Sequence, residues 1–348
     1  MKKLTGWITQ HQVAAFFSLT YAMSWGLWMP WMLSRIELLE LLGFVGLFVP
    51  ALACIVVARV VEPSTTEDHR RARRIAFLAA WILATAVFTL NARSSSGIPS
   101  PVAAAVFAVV ALIPAFVIAS GFSAHLGVRA RLASLVRPRG HPVWYLLALL
   151  LVPAVRLLSV PISHWLGWET LSEPATTTGI LGLAGSVAIS FFYTAIAAGG
   201  LNEETGWTGF ALPGLQARHS PLVASAGLWF FWILWHMPLH FAGMWNPDMD
   251  SLIRALVGTF FARFIFTWLY NRSEGGLWTA ILFHASANVA FEFLPVTWVQ
   301  FVLEAAIAIA VVVGARMWRK LPAGSRAVYE IAPVAGSSDE GGVCHAIV

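Results

Sequence analysis

Residues 101–120 read PVAAAVFAVVALIPAFVIAS, twenty positions without one charged side chain. A helix rises about 1.5 Å per residue, so roughly 20 apolar residues cross the hydrocarbon layer of a bilayer. Within that layer a helix satisfies its own backbone hydrogen bonds. The apolar residues run on without alternating faces. Comparable runs recur at 13–34, 38–59, 75–91, 142–161, 186–212, 221–241, 251–270, 276–293 and 298–316. The expected fold is all-α, a polytopic transmembrane helical bundle of about eight to ten spans. Composition agrees. The chain is 58% hydrophobic and 11% charged, against roughly 25% charged residues in a soluble domain. Its mean hydropathy is +0.74, and seventeen tryptophans suit the interfacial belts of a membrane protein.

The net charge of +5 does not imply a nucleic-acid partner, because the basic residues lie in short loops between apolar runs. Topology explains them. With the N-terminus inside, Lys2, Lys3, Arg70, Arg71, Arg73, Arg74, Arg129, Arg131, Arg137, Arg139, Arg218, Arg272, Arg316, Arg319, Lys320 and Arg326 fall on one side. The other side holds only Arg35, Arg93 and Arg254, and the loop near Glu169 and Glu173 holds none. By the positive-inside rule both termini are expected in the cytoplasm. The first run is as long as a span, so it reads as an uncleaved anchor. Three lysines against nineteen arginines hint at a GC-rich bacterium and hence its plasma membrane. The two cysteines, Cys54 in an apolar run and Cys344 near the end, offer neither a disulfide nor a zinc-ribbon spacing. The chain divides into N-terminal spans (1–141), a second bundle carrying the chemistry (142–316) and a polar tail (317–348) expected to be cytoplasmic and without structure.

Ionisable groups within a span cost roughly 2.5–3.5 kcal/mol each on insertion scales, so they mark candidate sites. The first four spans offer only Glu40 near a start and Arg59 at an end. The rest cluster later: Glu203 and Glu204, His236 and His240, Arg263, His284 with Asn288, and Glu292. Glu204 and Thr208 are four residues apart and share a helical face, as do His284 and Asn288. Glu203 and Glu204 point about 100° apart. Pro238 interrupts the ladder between His236 and His240, which favours His236. A carboxylate beside imidazoles and an amide suits hydrolysis by water: the carboxylate takes a proton, and the other groups stabilise an oxyanion or the histidines hold a metal. A lone histidine in a span is more often an interhelical hydrogen-bonding group, and a Glu-Glu pair more often a solvated cap. The conjunction on successive spans carries the reading. Trp229, Trp232 and Trp235 are expected to pack the bundle.

These residues resemble the CAAX amino-terminal protease (CPBP) family, related to the type II CAAX prenyl endopeptidases, whose motifs are EExxxR, FxxxH and HxxxN. Glu203 and Glu204 match the first pair, His236 the second motif, and His284 and Asn288 the third; the resemblance covers roughly residues 145–300. Thr208 stands at the arginine position and Trp232 at the phenylalanine position. The resemblance implies an intramembrane endopeptidase acting on a peptide or prenylated protein, with Glu203 activating water and His236, His284 and Asn288 positioning it and the oxyanion. It needs no cofactor in a glutamate mechanism. A divalent metal such as zinc stays open, with His236 and His284 as its ligands, although no HExxH is present. A non-cleaving scaffold of the same fold is the chief alternative, and a small-solute transporter a second; transporters often carry repeated halves, and none is found. Glu203 is expected inside the membrane a few residues from the cytoplasmic face, on a sixth span running past Gly199–Gly200 to about Leu212. Arg263 is expected to supply the cation that Thr208 lacks, since two adjacent carboxylates repel.

Overall fold

The computed structural model describes residues 2–34, 36, 39–66, 69–96, 100–168, 180–245 and 248–328. All ten apolar runs are helical. The helices are α1 (Lys2–Gln10), α2 (Gln12–Ser34), α3 (Glu40–Leu47), α4 (Val49–Val61), α5 (Arg70–Ser96), α6 (Pro101–Val110), α7 (Leu112–Ala119), α8 (Leu126–Val136), α9 (Val143–Leu166), α10 (Ile180–Ala197), α11 (Gly200–Gly206), α12 (Leu212–Gln216), α13 (Pro221–Phe241), α14 (Met249–Arg272), α15 (Leu277–Phe293) and α16 (Trp298–Gly314). No strand forms among the described residues beyond a single bridge between Thr65 and His125. By length and composition six helices can cross a membrane, or seven if α3 and α4 count as one bent span. The chain is thus an all-α polytopic bundle. The loop at Glu169 and Glu173, Arg35, and the tail from residue 329 lie outside the described residues.

Two spans are broken, and both breaks have identifiable causes. The pair α3–α4 bends by 52° at Phe48, with Pro50 in the first turn of α4. Proline has no N–H to give the carbonyl four residues back, so the Gly46 carbonyl needs another donor inside the membrane. The Ser24 hydroxyl supplies it at 2.9 Å. The sixth span, expected to continue past Gly199, does continue to Gln216, but it stops and restarts. Gly199 adopts φ +119°, a conformation that only glycine takes easily. Trp207–Ala211 then forms a π-helical segment. Pro213, two residues beyond, cannot donate to Gly209, and a wider turn absorbs that loss.

The helices alternate in direction, so the bundle has two distinct ends. Arg70–Arg74, Arg137, Arg139, Arg218, Arg272 and Arg316 lie at one of them, where loops also meet: Trp278 Nε1 donates to the Leu135 carbonyl and Gln216 Nε2 to the Ala327 carbonyl. The described start of the tail therefore packs here. Ala327 is buried, and Arg326 pairs with Glu274 at 3.0 Å.

Candidate active site

Helix α11 is wholly buried and carries Glu203 and Glu204. The break just before it is what places them. Asn202 Oδ1 accepts the Gly199 N–H at 2.8 Å, and its Nδ2 donates to the Leu47 carbonyl at 3.1 Å. One amide thus ties the two broken spans together. A Cβ on Gly199 would lie 2.2 Å from His284 Nε2, so glycine also makes room for the histidine.

The two glutamates face different surroundings, as adjacent positions on a helix must. Glu204 is completely buried and fully engaged. Its Oε1 accepts from His284 Nδ1 at 2.8 Å; its Oε2 accepts from the Thr208 hydroxyl and lies 3.4 Å from Arg263 Nη1. Arg263 also donates to the Thr208 oxygen at 3.3 Å and lies over the Phe266 ring at 4.5 Å. Glu203 has one protein partner among the described residues, the Trp232 indole, which donates to Oε2 at 2.6 Å. Its carboxylate lines a cavity of about 400 Å³ together with His236, His284, Asn288 and Trp232.

The histidines present defined edges. A carbonyl only accepts hydrogen bonds, so His236 Nδ1, 3.0 Å from the Trp232 carbonyl, carries hydrogen and leaves Nε2 for the cavity. His284 Nδ1 likewise donates to Glu204. Asn288 Nδ2 donates to the Ala198 carbonyl at 3.0 Å, the acceptor that the break leaves behind, and one amide hydrogen and its oxygen remain. His240 faces away from the cavity, with Nδ1 3.2 Å from the Trp245 carbonyl. Glu292 accepts from the Ser190 hydroxyl and is exposed, outside the cluster. Glu203 stands thirteen residues before Gln216, about 20 Å along the helix, so it lies deeper than a few residues from that end.

Trp235 and Trp229 pack as expected, Trp235 edge-on to Trp207 and Trp229 edge-on to Phe260. Trp232 departs from that expectation, because its indole holds Glu203 while its ring lies tilted against His236, 4.1 Å between centroids. Sequence reading also missed Asn202, Arg156, Gln300 and Glu304. The last three are buried beside a second cavity of about 200 Å³ whose wall includes Trp232, Trp245 and Asn288. A side chain that bonds only to backbone, like Asn202, leaves no pairing signal in sequence.

His236 and His284 meet in one cavity wall, but no group of three His, Cys, Asp or Glu side chains is placed to hold a metal among the described residues. A catalytic zinc takes three protein ligands, so this donor set does not fit one.

The site lies within a segment of known kind. Residues 184–290 match the family model described as type II CAAX prenyl endopeptidase Rce1-like, a stretch that contains Glu203, Glu204, His236, Arg263, His284 and Asn288. The CAAX prenyl protease 2 of Methanococcus maripaludis is 29% identical over 164 residues, covering 45% of this chain and 59% of that protein. Through this segment the chain is similar to the CAAX protease family, the family its motifs resemble. Its apolar helices make it a multi-pass membrane protein.

Proposed function

We propose that the protein is a membrane-embedded endopeptidase in which Glu203 is the general base. The observation that carries this reading is the unequal treatment of two adjacent carboxylates. Glu204 is saturated by His284, Thr208 and Arg263. Glu203 keeps one oxygen for a cavity lined by imidazole and amide groups. Water held there gives a proton to Glu203 while its oxygen bonds to the scissile carbonyl carbon. The oxyanion that forms is met by the remaining amide hydrogen of Asn288, with the imidazoles of His236 and His284 beside it in the same cavity wall. The proton then passes from Glu203 to the leaving amine as the C–N bond breaks. No step requires a metal. Dialysis against a strong chelator is expected to leave turnover unchanged; loss that zinc restores would make the histidines ligands instead. The substrate is a peptide or protein, prenylated or not, and the location is a plasma membrane, bacterial by the arginine bias.

The scaffold alternative draws on Thr208 at the family's arginine position, but Arg263 brings a guanidinium to the same carboxylate. Comparing membrane proteomes of wild type and Glu203→Gln decides between them. An endopeptidase lacking its base loses about 10²–10⁴-fold in rate, and an uncut protein accumulates. Unchanged proteomes with normal expression would favour the scaffold.

A further inference from the structure

Helices α2, α3 and α13 line the Glu203 cavity with the parts remote from the arginine-rich end. Helix α2 starts beyond Lys2 and Lys3 and contributes Trp28 and Trp31, near its far end. Helix α13 starts just after Arg218 and contributes Trp232, His236 and Leu239, its last turns, followed by Met244 and Trp245. Of the spans running the opposite way, the bent α3–α4 pair contributes Gly43, Phe44 and Leu47 from its first half, and α10 contributes Tyr193, ahead of the break at Gly199. Helix α15, entering after Arg272, contributes His284 at mid-length and Asn288 beyond it.

The opposite direction is closed. Trp207, Leu212, Leu228, Leu277 and Ile281, which separate the glutamates from the arginine-rich loops, all have 0% exposure. Toward the far end Asn288 is exposed, and Trp31, Met244 and Trp245 are half-buried. The site thus has a packed floor on the arginine side and its mouth on the other.

Arginine-rich loops stay in the cytoplasm. We infer that the Glu203 cavity opens to the non-cytoplasmic face of the membrane and admits a peptide segment from that side. The inference rests on the endopeptidase reading for the word substrate, and it narrows that substrate to translocated peptides or the outward juxtamembrane segments of other membrane proteins. A prenylated carboxy-terminus anchored in the cytoplasmic leaflet meets the closed floor. The aromatic rim of Trp28, Trp31, Phe44 and Tyr193 suits bulky apolar side chains next to the cleaved bond.

Single-cysteine variants test it in intact cells, in a Cys54→Ala/Cys344→Ser background and with a charged, membrane-impermeant maleimide. Met244→Cys reports the mouth, and Trp31→Cys serves if the first variant fails to fold. His219→Cys, exposed at the arginine-rich end, is the reference. The expected result is labelling of the mouth variants before lysis and of His219→Cys only after it. The reverse pattern overturns the inference, and so does a mouth labelled only after lysis. The outcome is separable from the enzymatic reading. If labelling inverts while Glu203→Gln still blocks cleavage, the enzyme stands and its substrate is cytoplasmic. If Glu203→Gln changes nothing, labelling still locates the opening.

Discussion

Two buried polar clusters share a wall of Trp232, Trp245 and Asn288, yet they are finished to different degrees. Around Glu204 both carboxylate oxygens have partners. In the neighbouring cluster Arg156 donates through Nη1 to the Ala290 and Leu294 carbonyls at 3.2 and 3.3 Å, capping the end of α15. Gln300 donates to Glu304 at 2.9 Å. Arg156 Nε and Gln300 Oε1 have no partner among the described residues. A saturated cluster holds one geometry and so fixes the short helix that presents the neighbouring Glu203 to its cavity. A buried cluster with open valences beside a cavity is a place for water. The difference teaches which polar burial here is tied to geometry and which tolerates replacement.

Breaking the first cluster should cost most. Removing one partner of a buried charged pair destabilises by roughly 3–5 kcal/mol, so Arg263→Ala is expected to lower the thermal midpoint in detergent sharply and to abolish cleavage. Adding Thr208→Arg returns a guanidinium to Glu204 from one turn away, and both readouts should recover. If Arg263→Ala leaves expression and cleavage normal, the counterion role is wrong. Next comes Gly199→Ala, which places a Cβ against His284 at φ +119°; strain of about 1–3 kcal/mol and a misplaced imidazole should show as lower stability together with slower turnover. The second cluster should yield far less. Replacing both charges, Arg156→Met with Glu304→Leu, is expected to be neutral or stabilising by about 1–4 kcal/mol with cleavage retained; a marked loss of either would erase the contrast. The smallest effect lies outside the spans. Asp248 caps α14 by accepting from Ser251 N at 2.8 Å and its hydroxyl at 2.7 Å, and these bonds hold its carboxyl below the ordinary range. Its contribution is present above about pH 4, the ordinary aspartate value, and fades as pH falls through the lowered one. Asp248→Asn should flatten the acid limb of a melting curve measured between pH 3 and 6.

The contrast also explains what was legible in sequence. Spans were legible because hydrocarbon imposes a length and an apolar composition on each of them. The first cluster was legible because Glu203-Glu204, His236 and His284-x-x-x-Asn288 carry spacing, and Arg263 was conspicuous as an arginine mid-span. Arg156, Gln300 and Glu304 were not, since they lie singly on separate helices and meet only through packing. The break at Gly199 is not legible in sequence, because a lone glycine in an apolar run fits a helix equally well until His284 arrives over it. The role of Trp232 is equally hidden, because nothing local in sequence shows that its N–H points at a carboxylate.

That last residue and Thr208 are the two departures from the family motifs, and both touch the glutamate pair: Trp232 donates to Glu203 and Thr208 to Glu204. A phenylalanine at 232 could give Glu203 no hydrogen bond.

The π-helical segment Trp207–Ala211 carries a consequence for insertions and deletions. The helix containing it is clamped at both ends, by Asn202 and Asn288 around the break and by Gln216, which bonds Asn271 at 3.0 Å and the Ala327 carbonyl. The number of residues between the clamps is therefore a dimension of the site. Removing Gly209 would let the wide turn relax to α-helical pitch with the clamps still in phase, whereas removing a residue from the α-helical turns beside it would rotate one clamp against the other by about 100° and shorten their separation by about 1.5 Å. Helicity would survive such a deletion while the carboxylates turned off their partners. Length variation among relatives should thus be excluded from this stretch even where residue identity drifts.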